Sequence, residues 1–394
     1  MSKSEYRPGW FILLGSLTAI GPLSIDMYLP SFPGIATSLQ SSSGAVQFTL
    51  AAFFIGLALG QAIYGPLADR FGRKPPLYFG LALYTVASIV CMLAPNIETL
   101  TAGRFVQALG GCAGMVIPRA IVRDHFSAQG SARAFSLLML VMGLAPILAP
   151  ILGSWILLIG NWRMLFGILA SFGLICLVNI HFNLKESFQP SAQRSLNPLD
   201  ILREYLSLLR DRHFSRYVLA SGFANAGMFA YIAGSPFVLI EYYHLSPSAY
   251  AWIFGANACG LIAASQINAR LLKSHSVTEL LRFSLWAPPL CGIILFGIAL
   301  TGFGGLPVFL LALFGFIACG GFIGPNAGAC ALADQGQRAG MASALMGSLQ
   351  FAIATLVSSA ISLIPSHNAL AMSGIMALCG IASFSIYHLL APRQ

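Results

Sequence analysis

Runs of about twenty mostly apolar residues, nearly empty of charge, follow one another along the whole chain. They repeat with neither the period of 3.6 that marks a half-buried helix nor the period of 2 that marks a half-buried strand. Only 8% of the residues are charged and 57% are hydrophobic, whereas a soluble domain carries roughly 25% charged residues. A water-soluble globule could not cover its surface from this supply. Each run is long enough to cross the hydrocarbon core of a bilayer, and the 394 residues accommodate about twelve such spans with short links. The expected fold class is therefore an all-α integral membrane protein, with little chain left for a soluble domain. The spans are placed at 9–30, 45–67, 76–95, 99–119, 132–158, 163–184, 217–240, 248–269, 280–301, 306–327, 339–364 and 368–391. The first follows Lys3 and Arg7, as a secretory signal would. It is too long for a signal core, holds an acid and several prolines and lacks a clear cleavage site, so it reads as a retained span.

The net charge of +9 would point to nucleic acid in a soluble protein. Here topology accounts for it, and no nucleic-acid partner is expected. Of the 21 Lys and Arg, Arg163 alone falls in the links on one side and Arg104 falls inside a span. All the others gather in the alternate set of links and the two termini. Basic residues stay on the cytoplasmic side, so both termini are expected there, in a bacterial inner membrane. Only an even number of spans satisfies this. The eight Cys lie in or beside apolar segments without a CxxC pair and read as small apolar filler. The seven His show no metal-ligand spacing.

The longest link, 185–216, divides the chain. Asn197 is placed to cap a helix, Pro198 suits its first position and Asp200 its first turn. Leu199, Leu202, Leu206 and Leu209 follow at helical spacing, which predicts an amphipathic helix on the inner membrane face. This gives three parts: an N-terminal six-helix bundle over 1–184, a cytoplasmic linker over 185–216 and a C-terminal six-helix bundle over 217–394. Phe54, Gly60 and Arg70 recur as Phe254, Gly260 and Arg270. An offset of half the chain fits two parallel six-span repeats.

Charge inside a span is costly, about 2.5–3.5 kcal/mol on insertion scales, so it should face protein or water. Asp26 is the one acid placed clearly within a span. Removal from water favours the neutral form of a carboxyl, which suits a group that loads and releases a proton. A structural acid near the outer helix end is the plainer reading. Arg104, in span 4, stays charged at any relevant pH. It could tune a nearby carboxylate or snorkel to the interface. Between spans 2 and 3 stands Gly65-Pro-Leu-Ala-Asp69-Arg70-Phe-Gly72-Arg73-Lys74-Pro75. Basic topology explains Arg70, Arg73 and Lys74. It does not explain Gly72, which permits a tight turn with positive φ, or Asp69, which can pair with Arg or cap a helix. Span 5 holds Gly143, Pro146, Pro150 and Gly153, a pattern that bends a helix and admits a close neighbour. Gly56 and Gly60 in span 2, and Gly340, Ala344 and Gly347 in span 11, read as packing faces. Span 7 mixes Asn225, Phe229 and Tyr231 with Gly and Pro. With Tyr28 and Gln107 these are candidates to line a cavity, lipid-facing aromatics being the alternative. The sequence has no phosphate-binding GxxxxGK[ST] loop, so no ATP is expected as partner, and no GxSxG or HExxH, so an enzyme is not expected. No cofactor or metal is implied.

At these residues the chain resembles the major facilitator superfamily. Gly65 to Pro75 is similar to that family's signature between spans 2 and 3. Arg104 to Gly111 and Gly143 to Ser154 resemble the fourth- and fifth-span motifs of its drug/proton antiporters. Leu23 to Pro30, with Ser221 to Glu241, resembles the Bcr/CflA subfamily, the bicyclomycin-resistance type. The resemblance implies twelve helices in two bundles around a central cavity, working by alternating access, and multidrug export in exchange for protons. It implies Asp26 as proton carrier and Arg104 as its electrostatic partner. Gly65, Asp69, Arg70, Gly72, Arg73 and Lys74 would form the inner gate. Gly143, Pro146, Pro150 and Gly153 would form the antiporter hinge. The expected partners are a small organic substrate, protons and the bilayer, with the chain acting as a monomer. Import by proton symport is the alternative. Two positions depart from the pattern. Thr18 stands where some relatives have a second acid, which leaves less negative charge for a cationic cargo. The second-half copy of the inner loop, Asn268 to Lys273, lacks the acid.

Overall fold

In the computed structural model, residues 8–125, 128–184, 186, 198–335, 338–364 and 369–390 are described. Lys3, Arg7, Lys185, Arg194, Arg393 and the expected cap Asn197 lie outside the described residues. The chain is all helical there: α1 (Pro8–Asp26), α2 (Phe32–Ser38), α3 (Ser43–Phe71), α4 (Lys74–Met92), α5 (Ile97–His125), α6 (Ala128–Ile159), α7 (Trp162–Asn183), α8 (Pro198–Arg210), α9 (Arg212–Pro236), α10 (Pro247–Leu271), α11 (Val277–Ser284), α12 (Ala287–Thr301), α13 (Gly305–Leu332), α14 (Ala339–Leu363) and α15 (Leu370–Leu389). Eleven stretches among the described residues are long and apolar enough to cross a membrane. The expected eighth span, α10, is long enough at 25 residues but less apolar, since Asn257, Gln266 and Asn268 interrupt it.

Local chemistry sets the element boundaries. Ser42 caps α3 by accepting the Ala45 amide at 3.2 Å, and Ser246 does the same for α10 ahead of Pro247. Asp211 caps α9 through the His213 amide. Ser276 and Glu279 form a reciprocal capping box on α11.

Two expected spans are broken. The first does not end at 30. It stops at Asp26, turns through a short 3-10 segment Leu29–Ser31 and continues as α2 to Ser38. Pro30 and Pro33 lack the amide hydrogens that an unbroken helix would need. The ninth divides into α11 and α12 just before Pro288 and Pro289. The seventh runs on past Pro236 as a π-helical turn, Phe237–Tyr242.

Two sets of helices pack internally. In the first half α5 packs on α3 and α4, α4 on α7, and α1 on α6. In the second half α9 packs on α15, α14 and α13, α12 on α15, and α10 on α13. The sets meet along α3–α14 and α6–α10, and these pairs are equivalent under the half-chain repeat. At one end, which we term the basic end, stand the α3–α4 turn with Arg70, Arg73 and Lys74, and the α10–α11 turn with Lys273. At the opposite end the halves close on each other. There the 3-10 segment packs on α9 and α10, and α2 on the π-helical turn, with the Phe32 and Phe237 rings 5.8 Å apart.

In α8, Tyr205, Leu208 and Leu209 pack toward the second-half core. Leu202 and Leu206 point outward, about half exposed. The helix is therefore amphipathic, but the expected leucine stripe is divided between protein and surroundings.

Candidate functional site

α1 and α5 bring Arg104 into the core of the first half. Its side chain is fully buried, so it does not snorkel. One terminal nitrogen donates to Gln107 Oε1 at 2.5 Å and the other to the Ser24 carbonyl at 2.8 Å. The guanidinium lies 4.2 Å from the Tyr28 ring centroid and 4.1 Å from that of Phe53, cation–π geometry. Gln107 Nε2 donates to Ser88 Oγ at 2.7 Å, Ser88 donates to the Tyr84 carbonyl at 2.7 Å, and the Tyr84 hydroxyl meets Ser24 Oγ at 2.8 Å. The loop thus closes across α1, α4 and α5. Ser24, Tyr84 and Ser88 were not singled out in the sequence. Single hydroxyls in apolar helices carry no local signal of their partners.

Asp26, two residues beyond Ser24, is 4% exposed. No ion pair joins it to Arg104 among the described residues, and its carboxyl makes no hydrogen bond there. Arg104 is engaged by amide, backbone and rings and not by a direct ion pair with Asp26.

The cavity candidates separate. Tyr28 and Gln107 are fully buried and occupied by Arg104, with Tyr28 also 3.3 Å from Thr49 Oγ1. Neither offers surface to a cargo in this state. Phe229 belongs to an aromatic cluster across the halves, 4.7 Å from Phe54 and 5.7 Å from Phe351. Asn225, one turn before it, is half-buried. Tyr231 stacks on Phe254 at 5.4 Å and accepts a hydrogen bond from Asn257 Nδ2 at 3.1 Å.

At the basic end, Arg73 is 1% exposed. It pairs with Asp69 at 2.8 Å and Asp124 at 2.7 Å. Burial opposes its charge, and the hydrogen bonds and charges of Asp124 and Asp69 outweigh that, holding the guanidinium above its ordinary range. The Glu186 carboxylate accepts from the Arg73 and Lys74 amides, both at 2.9 Å, and so caps α4 from beyond α7. Gly72 has φ 88°, and a Cβ there would run into the Glu186 carboxyl. Arg70 is exposed over the Phe71 ring, Lys74 reaches the His181 carbonyl, and Gly65 has open space around it. Asp124 and Glu186 were missed, standing 51 and 113 residues from Arg73.

α6 stays one helix of 32 residues through Pro146 and Pro150. Gly153 abuts the Met27 backbone, and Gly143 faces Ile262 of α10. The Gly–Pro pattern therefore seats α6 between the end of α1 and the second half. The Gly56 and Gly60 face packs on α5 as expected. Among the described residues no cluster could hold a metal.

A family model described as Major Facilitator Superfamily matches residues 14–359. The chain belongs to the major facilitator superfamily. It is 38% identical over 349 residues, 88% of this chain and 86% of the relative, to a protein of Bacillus subtilis named "Uncharacterized MFS-type transporter YdgK". It is 33% identical over 385 residues, 98% of this chain and 96% of the relative, to the "Bicyclomycin resistance protein homolog" of Haemophilus influenzae. The Haemophilus influenzae relative agrees with the subfamily resemblance read from the motifs. In structure it matches a peptide transporter POT in complex with sulfate, with TM-score 0.76, 15% identity and coverage of 99% of this chain and 95% of that one. It also matches a D-xylose-proton symporter, with TM-score 0.75, 15% identity and coverage of 96% and 97%. At that identity the likeness speaks to the fold. As a member of the major facilitator superfamily the chain is a multi-pass membrane transporter and not an enzyme.

Proposed function

We propose that this transporter exports drugs or small organic metabolites from the cytoplasm in exchange for protons, by alternating access. The observation that carries the coupling is the solitary Asp26 carboxyl, buried where the two halves close. Such a group changes the balance between open and closed states when its charge changes, because a ligand shifts an equilibrium only by its differential affinity for the two states. The full-length likeness to a bicyclomycin resistance protein homolog supports export over the alternative of symport.

In this reading the basic end is cytoplasmic and both termini lie there, in a bacterial inner membrane. Residues 1–184 and 217–394 rock against each other around Asp26, joined by the linker 185–216. Cargo binds from inside against the aromatic cluster of Phe54, Phe229 and Phe351, with Asn225 as a polar anchor, while Asp26 is ionised. The molecule turns outward, Asp26 takes a proton and cargo leaves. Asp69, Arg73 and their partners rigidify the α3–α4 turn as the inner gate. Gly143, Pro146, Pro150 and Gly153 let α6 move between α1 and α10. One chain suffices, with no ATP.

Inverted membrane vesicles with an imposed proton gradient test this. Relief of the gradient by a bicyclomycin-like compound with wild type, and none with Asp26→Asn, is the expected result. Full relief with Asp26→Asn would contradict it.

A further inference from the structure

Arg119 is a charge within a span that neither the Arg73 cluster nor the Arg104 network engages. In the sequence it counts with the cytoplasmic links. In the structure α5 continues to His125, and the apolar stretch Ile97–Val122 encloses Arg119. It stands about 22 Å along α5 from Arg104 and about 8 Å short of Asp124, toward the basic end. Unlike Arg73 and Arg104 it is exposed. Its hydrogen bond among the described residues runs from a terminal nitrogen to Met142 Sδ at 3.7 Å, and a thioether is a weak acceptor. No carboxylate pairs with it among the described residues.

The face of α6 that it meets gives the direction of the side chain. α6 turns Leu144, Leu148 and Trp155 outward, each about half exposed. The opposite face is packed, with Ala149 fully buried and Gly153 against the Met27 backbone. Met142 precedes these two by whole numbers of helical turns and so shares their inner face. Gly143, beside it, faces Ile262 of the second half. A guanidinium that snorkelled to the lipid headgroups would run along the outer face instead. An inward side chain that is still exposed lines a space open to water. The halves close at the Asp26 end, so this space opens at the basic end.

We propose that Arg119 is a specificity-determining residue at the cytoplasmic entrance, where its guanidinium holds cargo bearing a carboxylate or another anionic group and repels cationic cargo. This rests on the reading of the basic end as the side from which cargo enters. A charge kept within a span marks a substrate path where no protein partner neutralises it. Low-dielectric walls focus the field of such a charge and raise the local concentration of the opposite sign. Guanidinium and carboxylate also match in shape, two parallel donors to two oxygens. Thr18 and Arg119 act in the same sense: the first withholds negative charge that would draw a cation, and the second supplies positive charge for an anion. Asp26 stands at the closed end, so an anionic group held by Arg119 stays clear of its carboxylate.

Fluorescein and tetramethylrhodamine methyl ester share a xanthene frame, the first an anion and the second a cation. Fluorescence polarisation with purified transporter in detergent reads their binding without any proton gradient. Wild type is expected to bind fluorescein more tightly than the rhodamine. Arg119→Gln should weaken fluorescein binding by about tenfold or more, Arg119→Lys should keep most of it, and Arg119→Glu should reverse the preference. Thermal midpoints should match wild type, because the side chain is exposed and unpaired with any acid. Should the variants fail to accumulate, added salt should weaken fluorescein binding to wild type through screening. Wild type that binds fluorescein no more tightly than the rhodamine, or an unchanged preference in Arg119→Glu, would overturn the role of Arg119. If Arg119→Glu reversed the preference while inverted vesicles showed no relief of the gradient, the exchange reading would fall and the role of Arg119 would stand.

Discussion

The two halves repeat one architecture, yet their basic ends are tied by different chemistry. In the first half the end of α3 is held to α5 by a buried guanidinium between two carboxylates, Arg73 with Asp69 and Asp124, with Glu186 capping the next helix. In the second half the end of α10 is held to α13 by a pair of amides. Asn268 and Asn326 donate to each other at 3.1 and 2.8 Å. Arg270 and Lys273 stay exposed. A neutral amide pair holds the same helix contact without a charge that must be matched. A buried ionic cluster adds little net stability for the desolvation it demands, and it is unforgiving when one member is lost. The repeat preserves helix packing at these two ends, while the buried ionic cluster stands at the first-half end and a neutral amide pair at the second.

Substitutions sharpen that contrast. Arg73→Ala leaves two largely buried carboxylates facing each other and should cost the most, about 3–5 kcal/mol, read as a large fall in the thermal midpoint of purified protein and loss of export. Asn268→Ala strands the buried Asn326 amide and should cost about 1–3 kcal/mol. Were the amide pair as costly to break as the ionic cluster, the asymmetry between the halves would disappear. Gly72→Ala meets both the positive φ and the Glu186 carboxyl and should cost about 1–2 kcal/mol, with Glu186→Ala relieving part of it by removing the clash. Arg270→Ala, on an exposed side chain, should move stability by no more than about 0.5 kcal/mol. A loss as large as that of Arg73→Ala would mean that the second half has a latch of its own.

Much of this was legible in the sequence because charge is rare in it. Asp26 and Arg104 stood out as ionisable residues inside apolar runs, and the α3–α4 motif stood out for its Gly and Asp among basic residues. Partnership was not legible. Nothing in the sequence around Arg104 announced Gln107, the Ser24 carbonyl and the Tyr28 and Phe53 rings as the groups it meets. The partners of Arg73 come from α5 and from beyond α7, and no local period announces a contact across 51 or 113 residues. The break after Asp26 was missed because hydropathy runs smoothly through it, although Pro30 and Pro33 were its signal.

The central claim is that Asp26 exchanges a proton for cargo. The most direct measurement is proton release into weakly buffered solution when a bicyclomycin-like compound is added to purified transporter in detergent. The account predicts release from the wild-type protein that saturates with cargo, and none from Asp26→Asn at cargo concentrations that still bind. Equal release from both proteins would contradict it.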